Sequence, residues 1–416
     1  MRIALLSYRS KEHCGGQGVY VRQLSRGLAE LGHQVEVFSG QPYPEDLDPR
    51  VRLTKVPSLD VFSRPDLKLP HFRELGDRYD RIEWLTTATG CFAEPLAFSL
   101  RAAHLLLGER AGEFDVVHDN QCLGYGLLRL HRHGVPLVAT IHHPVSRDRR
   151  VELDAAVWHK KPWVARWYGF VRMQARVARR LPVLLGVSDA ATADSVADFR
   201  IPPDRFRVVP LGVDTDLFRP AGQRVPGRIV AIASADKPLK GVAHLLDAVA
   251  KLRVDRDVEL QLVSALEPGG PTERRIEELG LGDAVTVRSG LTEVALAGLL
   301  ASAEVMCVPS LYEGFSLPTV EALACGTPVV ASRAGALPEV VGEDGGCARL
   351  VEPGDAGALA TTLGELLDSP AERARLGAAG RARALERFGW TSVARATVEA
   401  YQAAIETAAA ATAKGR

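Results

Sequence analysis

Short apolar runs rich in Val, Ile and Leu alternate along the chain with longer segments in which apolar residues recur at helical spacing. This alternation is typical of βαβ construction, because strands buried on both faces of a parallel sheet carry near-continuous apolar runs. In the first half the predicted strands are Ile3–Leu6, Gln34–Phe38, Val51–Val56, Asp115–His118, Leu137–Ile141 and Val183–Val187. The pattern predicts an α/β domain built on a doubly wound parallel sheet.

The second half repeats this plan after an irregular segment. Its predicted strands are Ile229–Ala233, Glu259–Val263, Val285–Arg288, Val305–Val308 and Pro328–Ala331. Between the halves, residues 208–227 contain three prolines and three glycines, which interrupt regular structure. We therefore expect a first domain over residues 1–212, a linker over 213–227 and a second domain over 228–388. Helical periodicity over Trp390–Thr407 predicts a final amphipathic helix within 389–416, with disorder only from Ala408 onward.

The bulk composition is that of an ordinary globular chain. A length of 416 residues favours two domains, and the 51 basic residues balance the 51 acidic ones, so no net field favours nucleic acid as a partner. The six cysteines form no CxxC pair, which favours buried reduced thiols over a zinc site or a disulfide framework. No apolar run is long enough to cross a membrane. These features predict a cytoplasmic protein.

A glycine-rich segment, Gly15 to Gly18, lies between the first predicted strand and the helical run Val19–Leu31. Glycines at such a turn let backbone amides approach a ligand, and the positive end of a helix attracts phosphate. The signal alone is weak, and a tight turn without a ligand stays open as the alternative. A dinucleotide site would need a third glycine where Val21 stands, which disfavours a dehydrogenase.

A second segment carries two glutamates, Glu313 and Glu321, with seven residues between them. Pro318 favours the first turn of a helix, which puts Glu313 on the preceding loop and Glu321 within that first turn. Ionised carboxylates accept hydrogen bonds from adjacent hydroxyls, such as those of sugar and ribose rings. Taken singly, each glutamate has a simpler interpretation: Glu321 complements the helix dipole and Glu313 is solvated.

Together these motifs resemble the retaining glycosyltransferases of family 4. That family has the GT-B fold, in which two Rossmann-like domains face each other across a crevice. The resemblance covers nearly the whole chain and rests on four motifs in the family's order: Gly15 to Gly18, Pro210 to Pro220, Lys240 with Gly241, and Glu313 to Glu321. It implies that residues 1–212 are the acceptor side, that 228–388 bind the donor, and that 389–416 pack back on the first domain.

The resemblance also implies roles for single residues. Glu313 would contact the donor sugar, Glu321 the ribose, and Gly16 with Lys240 the diphosphate. The expected nucleotide-sugar site also includes Gln17, Gly18, Gly314, Phe315 and Ser316. The family carries a histidine at the position of His142, which would face the sugar and the leaving phosphate, so the expected catalytic residues are His142, Lys240 and Glu313. His118 ends the preceding predicted strand, and it too could reach the crevice.

The sequence departs from the family pattern at one place. The family usually has an arginine five or six residues before the lysine that aligns with Lys240, and here those positions are Ala235 and Ser234. Because charge develops on a leaving diphosphate, it needs cationic stabilisation. Lys237 or Arg333 could supply the missing charge, or Lys240 could act alone.

Asp214-Thr-Asp216 has the letters of a metal-binding DxD motif. Its position in the linker instead predicts a turn in which Asp214 caps the backbone. We therefore expect neither a metal ion nor another cofactor.

The stretch 155–187 contains no acidic residue and interleaves basic and aromatic side chains. Such a surface suits an anionic membrane at its inner face, or a phosphate-bearing acceptor. A helix whose aromatic residues enter the core while its arginines stay solvated is the simpler interpretation.

The sequence therefore predicts a metal-independent, retaining transferase that moves a hexosyl group from a nucleotide-diphosphate sugar to a lipid-linked or small-molecule acceptor that the sequence leaves unidentified. Two alternatives stay open. A nucleotide-sugar epimerase of the same fold would release product without an acceptor. A non-catalytic nucleotide-sugar binding protein, suggested by the missing arginine, would bind the donor without turnover.

Overall fold

The structure is a computed structural model that describes residues 1–10, 16–61, 69–342 and 346–414. The chain divides into two compact units. The first comprises Met1–Val209 and Val393–Arg416, and the second comprises Pro210–Ser392. Each unit is built on its own parallel β-sheet flanked by helices.

Among its described residues the first unit has a seven-stranded sheet. The strands are β1 (Arg2–Ser7), β2 (Gln34–Ser39), β3 (Arg52–Lys55), β4 (Val116–Asn120), β5 (Leu137–Ile141), β6 (Val183–Gly186) and β7 (Phe206–Val208). The helices are α1 (Gly16–Glu30), α2 (Arg78–Ala88), α3 (Glu94–Leu107), α4 (Tyr125–Arg132), α5 (Ser146–Ala155), α6 (Lys161–Trp167), α7 (Phe170–Ala178) and α8 (Asp189–Phe199). Neighbouring strands follow the order β3-β2-β1-β4-β5-β6-β7. The order reverses between β1 and β4, which is where an open sheet of this type forms its ligand crevice.

The second unit repeats the arrangement with six strands in its described part. They are β8 (Arg228–Ile232), β9 (Glu259–Val263), β10 (Val285–Arg288), β11 (Val305–Val308), β12 (Val329–Ser332) and β13 (Ala348–Val351). The helices are α9 (Val242–Leu252), α10 (Pro271–Glu278), α11 (Glu293–Ser302), α12 (Leu317–Ala324), α13 (Leu337–Val341), α14 (Ala356–Asp368) and α15 (Pro370–Arg387). A final helix, α16 (Trp390–Lys414), has only its first three residues in this unit. The strand order is β10-β9-β8-β11-β12-β13, with its reversal between β8 and β11.

The central strands explain the apolar runs in the sequence. Every residue of β4, β5, β11 and β12 is buried, because helices cover both faces of each sheet. Each unit has its own apolar core, one around Phe38, Phe98 and Leu127 and the other around Leu245, Leu260 and Leu363. The predicted α/β class of two doubly wound sheets is confirmed.

The last helix, α16, begins in the second unit, and from Val393 onward it belongs to the first. Tyr401 is fully buried there, and its hydroxyl lies 2.7 Å from Nδ1 of His118. Nε2 of His118 lies 2.7 Å from the hydroxyl of Thr140, which also hydrogen-bonds Tyr20. His118 is therefore enclosed in a buried polar chain that joins α16 to β4, β5 and α1.

Some sequence-based expectations differ from the structure. The strands β7 and β13 were not predicted, and the helical end of the chain extends to Lys414 instead of becoming disordered at Ala408. Residues 404–413 contain six alanines, the residue with the highest helix propensity, which accounts for the longer helix. His118 was expected to be able to reach a crevice, but it is fully buried, because β4 continues two residues beyond it to Asn120.

Candidate active site

Three loops at the carboxyl ends of strands meet around Glu313 in the second unit. Glu313 follows β11, and Lys240 ends the short helical turn Pro238–Lys240 that follows β8. Nζ of Lys240 lies 2.8 Å from Oε1 of Glu313, and the hydroxyl of Ser310 donates to the same oxygen at 2.8 Å. These two loops flank the reversal of strand order, so the predicted lysine and glutamate lie together at the edge where ligands bind.

Two glycines allow these loops to pack closely. Gly241 has φ +64°, and a Cβ atom there would lie 2.0 Å from the carbonyl oxygen of Pro309. Gly335, in the loop after β12, has φ +55°, and a Cβ atom there would lie 2.1 Å from the carbonyl oxygen of Glu313. The same carbonyl accepts a hydrogen bond from the amide of Ala336 at 2.9 Å. The backbone of Glu313 is therefore held against the loop after β12, while the loop after β8 packs on Pro309.

The residues after Glu313 lead into helix α12. Phe315 is buried, and its ring meets that of Phe388 edge-on at 5.8 Å. Ser316 adopts the left-handed conformation at φ +80° directly before the helix, and its hydroxyl hydrogen-bonds that of Thr319 at 2.8 Å. Both side chains therefore make contacts within the second unit.

Glu321 is the fifth residue of α12, so the expectation that it lies within the first turn is wrong. The helix begins at Leu317, one residue before Pro318, which moves Glu321 into the second turn. Its side chain is half-buried, and within the described part of the chain its carboxylate accepts no hydrogen bond. Burial, with a smaller contribution from the negative charge of Glu293, raises the pKa of Glu321 to about 7. A partner that donates hydrogen bonds would relieve this cost of ionisation.

In the described part of the chain, Lys240 is the cation that contacts Glu313. Ser234 is exposed, and Ala235 is buried with its amide bonded to the hydroxyl of Ser264 at 3.1 Å. Of the two proposed substitutes for the family arginine, Lys237 is exposed and Arg333 lies 3.7 Å from Glu352. Whether either acts on the donor stays a prediction.

In the first unit the described glycines lie in helix α1 rather than on a loop before it. The helix begins at Gly16, so Gly16, Gln17 and Gly18 occupy its first turn, whose amides have no acceptor within the helix. Gly15 lies outside the described residues. First-turn amides at the positive end of a helix suit an anionic group, as the sequence predicted for this position.

Asn120, which sequence reasoning did not identify, connects the first turn of α1 to His142. Its amide nitrogen donates to the carbonyl of Gln17 at 3.3 Å, and its amide oxygen lies 2.7 Å from Nε2 of His142. Because that oxygen can only accept, Nε2 of His142 carries the proton and Nδ1 is left as an acceptor. Burial, with smaller contributions from His143 and His118, lowers the pKa of His142 to about 3, so the imidazole is neutral at neutral pH.

The neighbouring Gln121 fixes the backbone around His142. Its side-chain oxygen accepts from the amide of His142 at 2.6 Å, and its side-chain nitrogen donates to the carbonyl of His143 at 2.7 Å. Both Asn120 and Gln121 lie at the carboxyl end of β4, beside β1 at the reversal of strand order. That position is the signal by which sequence reasoning could have found them.

Asp214 caps a turn, as the sequence predicted. Its carboxylate accepts from the amides of Asp216 and Leu217, each at 3.1 Å. Within the four described ranges, no group of three or more His, Cys, Asp or Glu side chains is arranged to hold a metal ion. The absence of a metal requirement stays a prediction.

Two family models match this chain and together span most of it. Residues 14–217 match the model described as Glycosyltransferase Family 4, and residues 214–383 match the one described as Glycosyl transferases group 1. The fold agrees with solved glycosyltransferase structures. Sucrose-phosphate synthase from Thermosynechococcus elongatus superposes with a TM-score of 0.71 over 98% of this chain and 99% of that one, at 24% identity. HepE from Anabaena, in complex with UDP, gives a TM-score of 0.69 over 97% of this chain and 100% of that one, at 18% identity.

The chain therefore belongs to glycosyltransferase family 4, has the GT-B fold and is a glycosyltransferase. Among its relatives, an MMP α-(1→4)-mannosyltransferase from Mycolicibacterium hassiacum is 66% identical over 411 residues, covering 99% of this chain and 100% of that protein. A D-inositol 3-phosphate glycosyltransferase from an Arthrobacter species is 33% identical over 94% of this chain and 91% of that protein. None of the described helices combines the length and apolar character needed to cross a membrane.

Proposed function

We propose that this chain is a retaining α-mannosyltransferase that moves mannose from a nucleotide-diphosphate donor to O4 of a sugar acceptor. The observation that carries the proposal is the 66% identity over the full length of the MMP α-(1→4)-mannosyltransferase. A (1→4) linkage joins the anomeric carbon of one sugar to O4 of another. By analogy with the relative, whose name gives MMP, the acceptor of this chain is therefore itself a saccharide. The relatives named for D-inositol 3-phosphate are about half as similar.

In the proposed site, Lys240 binds the diphosphate and Glu313 contacts the sugar. Lys240 already lies 2.8 Å from Glu313, so its ammonium is positioned before any donor arrives. A preorganised cation stabilises the charge that develops on a leaving phosphate without further rearrangement. In the first unit by itself, the first-turn amides of α1 are proposed to bind an anionic group of a substrate, and Nδ1 of His142, the ring nitrogen without the proton, to accept a hydrogen bond from a sugar hydroxyl.

The proposed chemistry needs no carboxylate base. The bond from the anomeric carbon to the diphosphate breaks as the bond to the acceptor O4 forms on the same face. The acceptor proton passes to the departing phosphate oxygen, so atoms and charge balance. The described carboxylate nearest to Lys240 is Glu313, whose pairing with that lysine suits it to position the sugar rather than to remove a proton.

Glu321 gives a pH-dependent test of the donor site. A ribose hydroxyl that donates to Glu321 requires the ionised carboxylate, whose pKa is about 7 in the free protein. Donor affinity should therefore rise as the pH rises through 7, and below 7 it should fall by up to about tenfold per pH unit. Calorimetry with the cognate nucleoside diphosphate at pH 5.5, 6.5 and 8 would measure this change.

The matched control is Glu321→Gln. The terminal phosphate of the ligand titrates near pH 6 and affects both proteins alike, so only the difference between wild type and variant reports on Glu321. The free energy of unfolding should change with pH in the opposite sense to donor affinity. Since the folded protein retains a proton that the unfolded chain releases, wild-type stability should decline relative to Glu321→Gln between about pH 4.5 and 7. Identical pH dependences of donor affinity in the two proteins would contradict a ribose role for Glu321.

The overall reaction is tested by incubating the protein with nucleotide-diphosphate sugars of different bases and an α-(1→4)-linked manno-oligosaccharide, with and without EDTA. We expect acceptor-dependent release of one nucleoside diphosphate, an α-configured product by NMR, and full activity in EDTA. An isomerised sugar without acceptor would instead identify an epimerase. Tight donor binding without turnover on any acceptor would identify a binding protein, and a β-configured product would exclude retention.

A further inference from the structure

The first unit exposes two tryptophans close together in the chain. Trp158 is 83% exposed on the turn before α6, and Trp163 is 70% exposed within α6. Other apolar residues of the basic aromatic stretch behave differently, since Val171, Met173 and Val177 of α7 enter the core. Large exposed aromatic side chains commonly mark a binding surface. The simpler interpretation of the stretch, a core-facing helix, therefore holds for α7 but does not account for Trp158 and Trp163.

Trp163 shares a face of α6 with Trp167, the outer member of a row of aromatic rings. Trp167, one turn after Trp163 on the same face of α6, lies 5.5 Å from the ring of Phe92. Phe92 in turn lies 6.4 Å from Tyr8, which directly follows β1. Exposure increases outward along the row: Tyr8 and Phe92 are half-buried and Trp167 is 38% exposed, while Trp163 on the same helix face is more exposed still. The row thus leads from the ligand-binding edge of the sheet to the surface.

One face of Trp163 is supported by the backbone of the protein. A Cβ atom at Gly90 would lie 3.7 Å from its ring, so the ring packs on the chain there without an intervening side chain. Arg166 donates from Nε to the carbonyl of Thr89 at 3.0 Å, which ties α6 to the end of α2. Trp163 is therefore held on one side while most of its surface stays open to solvent.

The chemistry of this surface suits a saccharide better than an anionic membrane. A pyranose ring has an apolar face of C–H groups that packs against an aromatic ring, while its hydroxyls bond nearby donors such as Lys160 and Lys161. A membrane would take up basic side chains, but Arg166 is engaged with Thr89. The exposed Asp154, immediately before the stretch, would be repelled by anionic lipid. The row also begins at the sheet edge, where an acceptor sugar must react.

We infer that Trp158 and Trp163 form an accessory subsite that stacks against distal sugars of a saccharide acceptor while its terminal sugar occupies the reaction site. This subsite rests on the proposed transfer to a sugar O4. It predicts that the enzyme favours long acceptors over short ones, because only a long chain reaches both the reaction site and the tryptophans.

The test measures kcat and KM for α-(1→4)-linked manno-oligosaccharides of increasing length. For Trp158→Ala/Trp163→Ala we expect KM for long acceptors to rise roughly tenfold, with kcat and the KM for the shortest acceptor unchanged. Trp158→Phe/Trp163→Phe keeps the aromatic faces and should retain most of the preference. Val254→Ala is the matched control, since Val254 is 86% exposed in the second unit and should have no effect.

Two direct binding measurements separate this subsite from the proposed function. Calorimetry should show that the wild type binds long oligosaccharides more tightly than short ones and that the double alanine variant does not. An inactive wild type that still shows this tryptophan-dependent binding would overturn the proposed function and leave the subsite. Length-independent binding and kinetics in the wild type would overturn the subsite. Tryptophan-dependent sedimentation with phosphatidylglycerol vesicles, with unchanged oligosaccharide binding, would replace it with a membrane surface.

Discussion

Replacing Lys240 with methionine is expected to lower kcat by roughly 10²–10³ while leaving the fold intact. The ammonium of Lys240 lies 2.8 Å from Glu313 at the reversal of strand order, and within the described part of the chain it is the cation that pairs with Glu313. Methionine keeps most of the side-chain length and removes the charge. Glu313 keeps its hydrogen bond from Ser310, so its carboxylate stays partly satisfied. Single-turnover kinetics with saturating donor would measure the chemical step.

Lys237→Met is the control for this experiment. Lys237 lies three residues earlier, is exposed, and was one candidate to replace the missing family arginine. If Lys240 acts alone on the diphosphate, Lys237→Met should change kcat by less than about threefold. Equal losses in the two variants would show that the leaving group needs both lysines. A wild-type rate in Lys240→Met would refute the role given to Lys240.

Gly241→Ala is expected to reduce the free energy of unfolding of the second unit by about 3 kcal/mol or more, and to impair activity as well. Two physical causes add together. The residue has φ +64°, and the new Cβ atom would lie 2.0 Å from the carbonyl oxygen of Pro309. Relieving that overlap must separate the loops after β8 and β11, which moves Lys240 away from Glu313. Urea denaturation and steady-state kinetics on the same preparation would measure both effects.

Gly222→Ala separates the two causes. Gly222 has nearly the same φ, +65°, but nothing lies within 4 Å of the Cβ atom that alanine would add. It should therefore show only the conformational cost, about 1 kcal/mol, with unchanged activity. Equal stability and equal activity of Gly241→Ala and Gly222→Ala would show that close packing of the loops does not position Lys240.

The sequence predicted the central strands of both sheets well and two edge strands not at all. The buried runs of β4, β5, β11 and β12 are apolar because helices cover both faces. The two missed strands, β7 and β13, each lie at the edge of a sheet and include exposed residues. An edge strand is held largely by backbone hydrogen bonds to one neighbour, which leave little trace in side-chain pattern.

Site residues that belong to a sequence motif could be predicted. Contacts between residues far apart in the sequence could not. Resemblance to a family indicated Lys240 and Glu313, but their contact spans 73 residues and appears only once the sheet order is known. No motif pointed to Asn120 or Ser310, because each acts through a hydrogen bond to another site residue. Asn120 bonds His142, and Ser310 bonds Glu313. The errors at Gly16 and Glu321 are of another kind, since both came from misplacing the start of a helix by one or a few residues.

The path of α16 bears on how the protein is made. Because residues from Val393 onward belong to the first unit, that unit is built from the first and the last parts of the chain. A ribosome releases Met1–Val209 long before Tyr401, so His118 initially lacks the hydroxyl that bonds its Nδ1 in the finished protein. The second unit, in contrast, is continuous in sequence and can complete its core during synthesis. The unit that is synthesised first is therefore the one completed last.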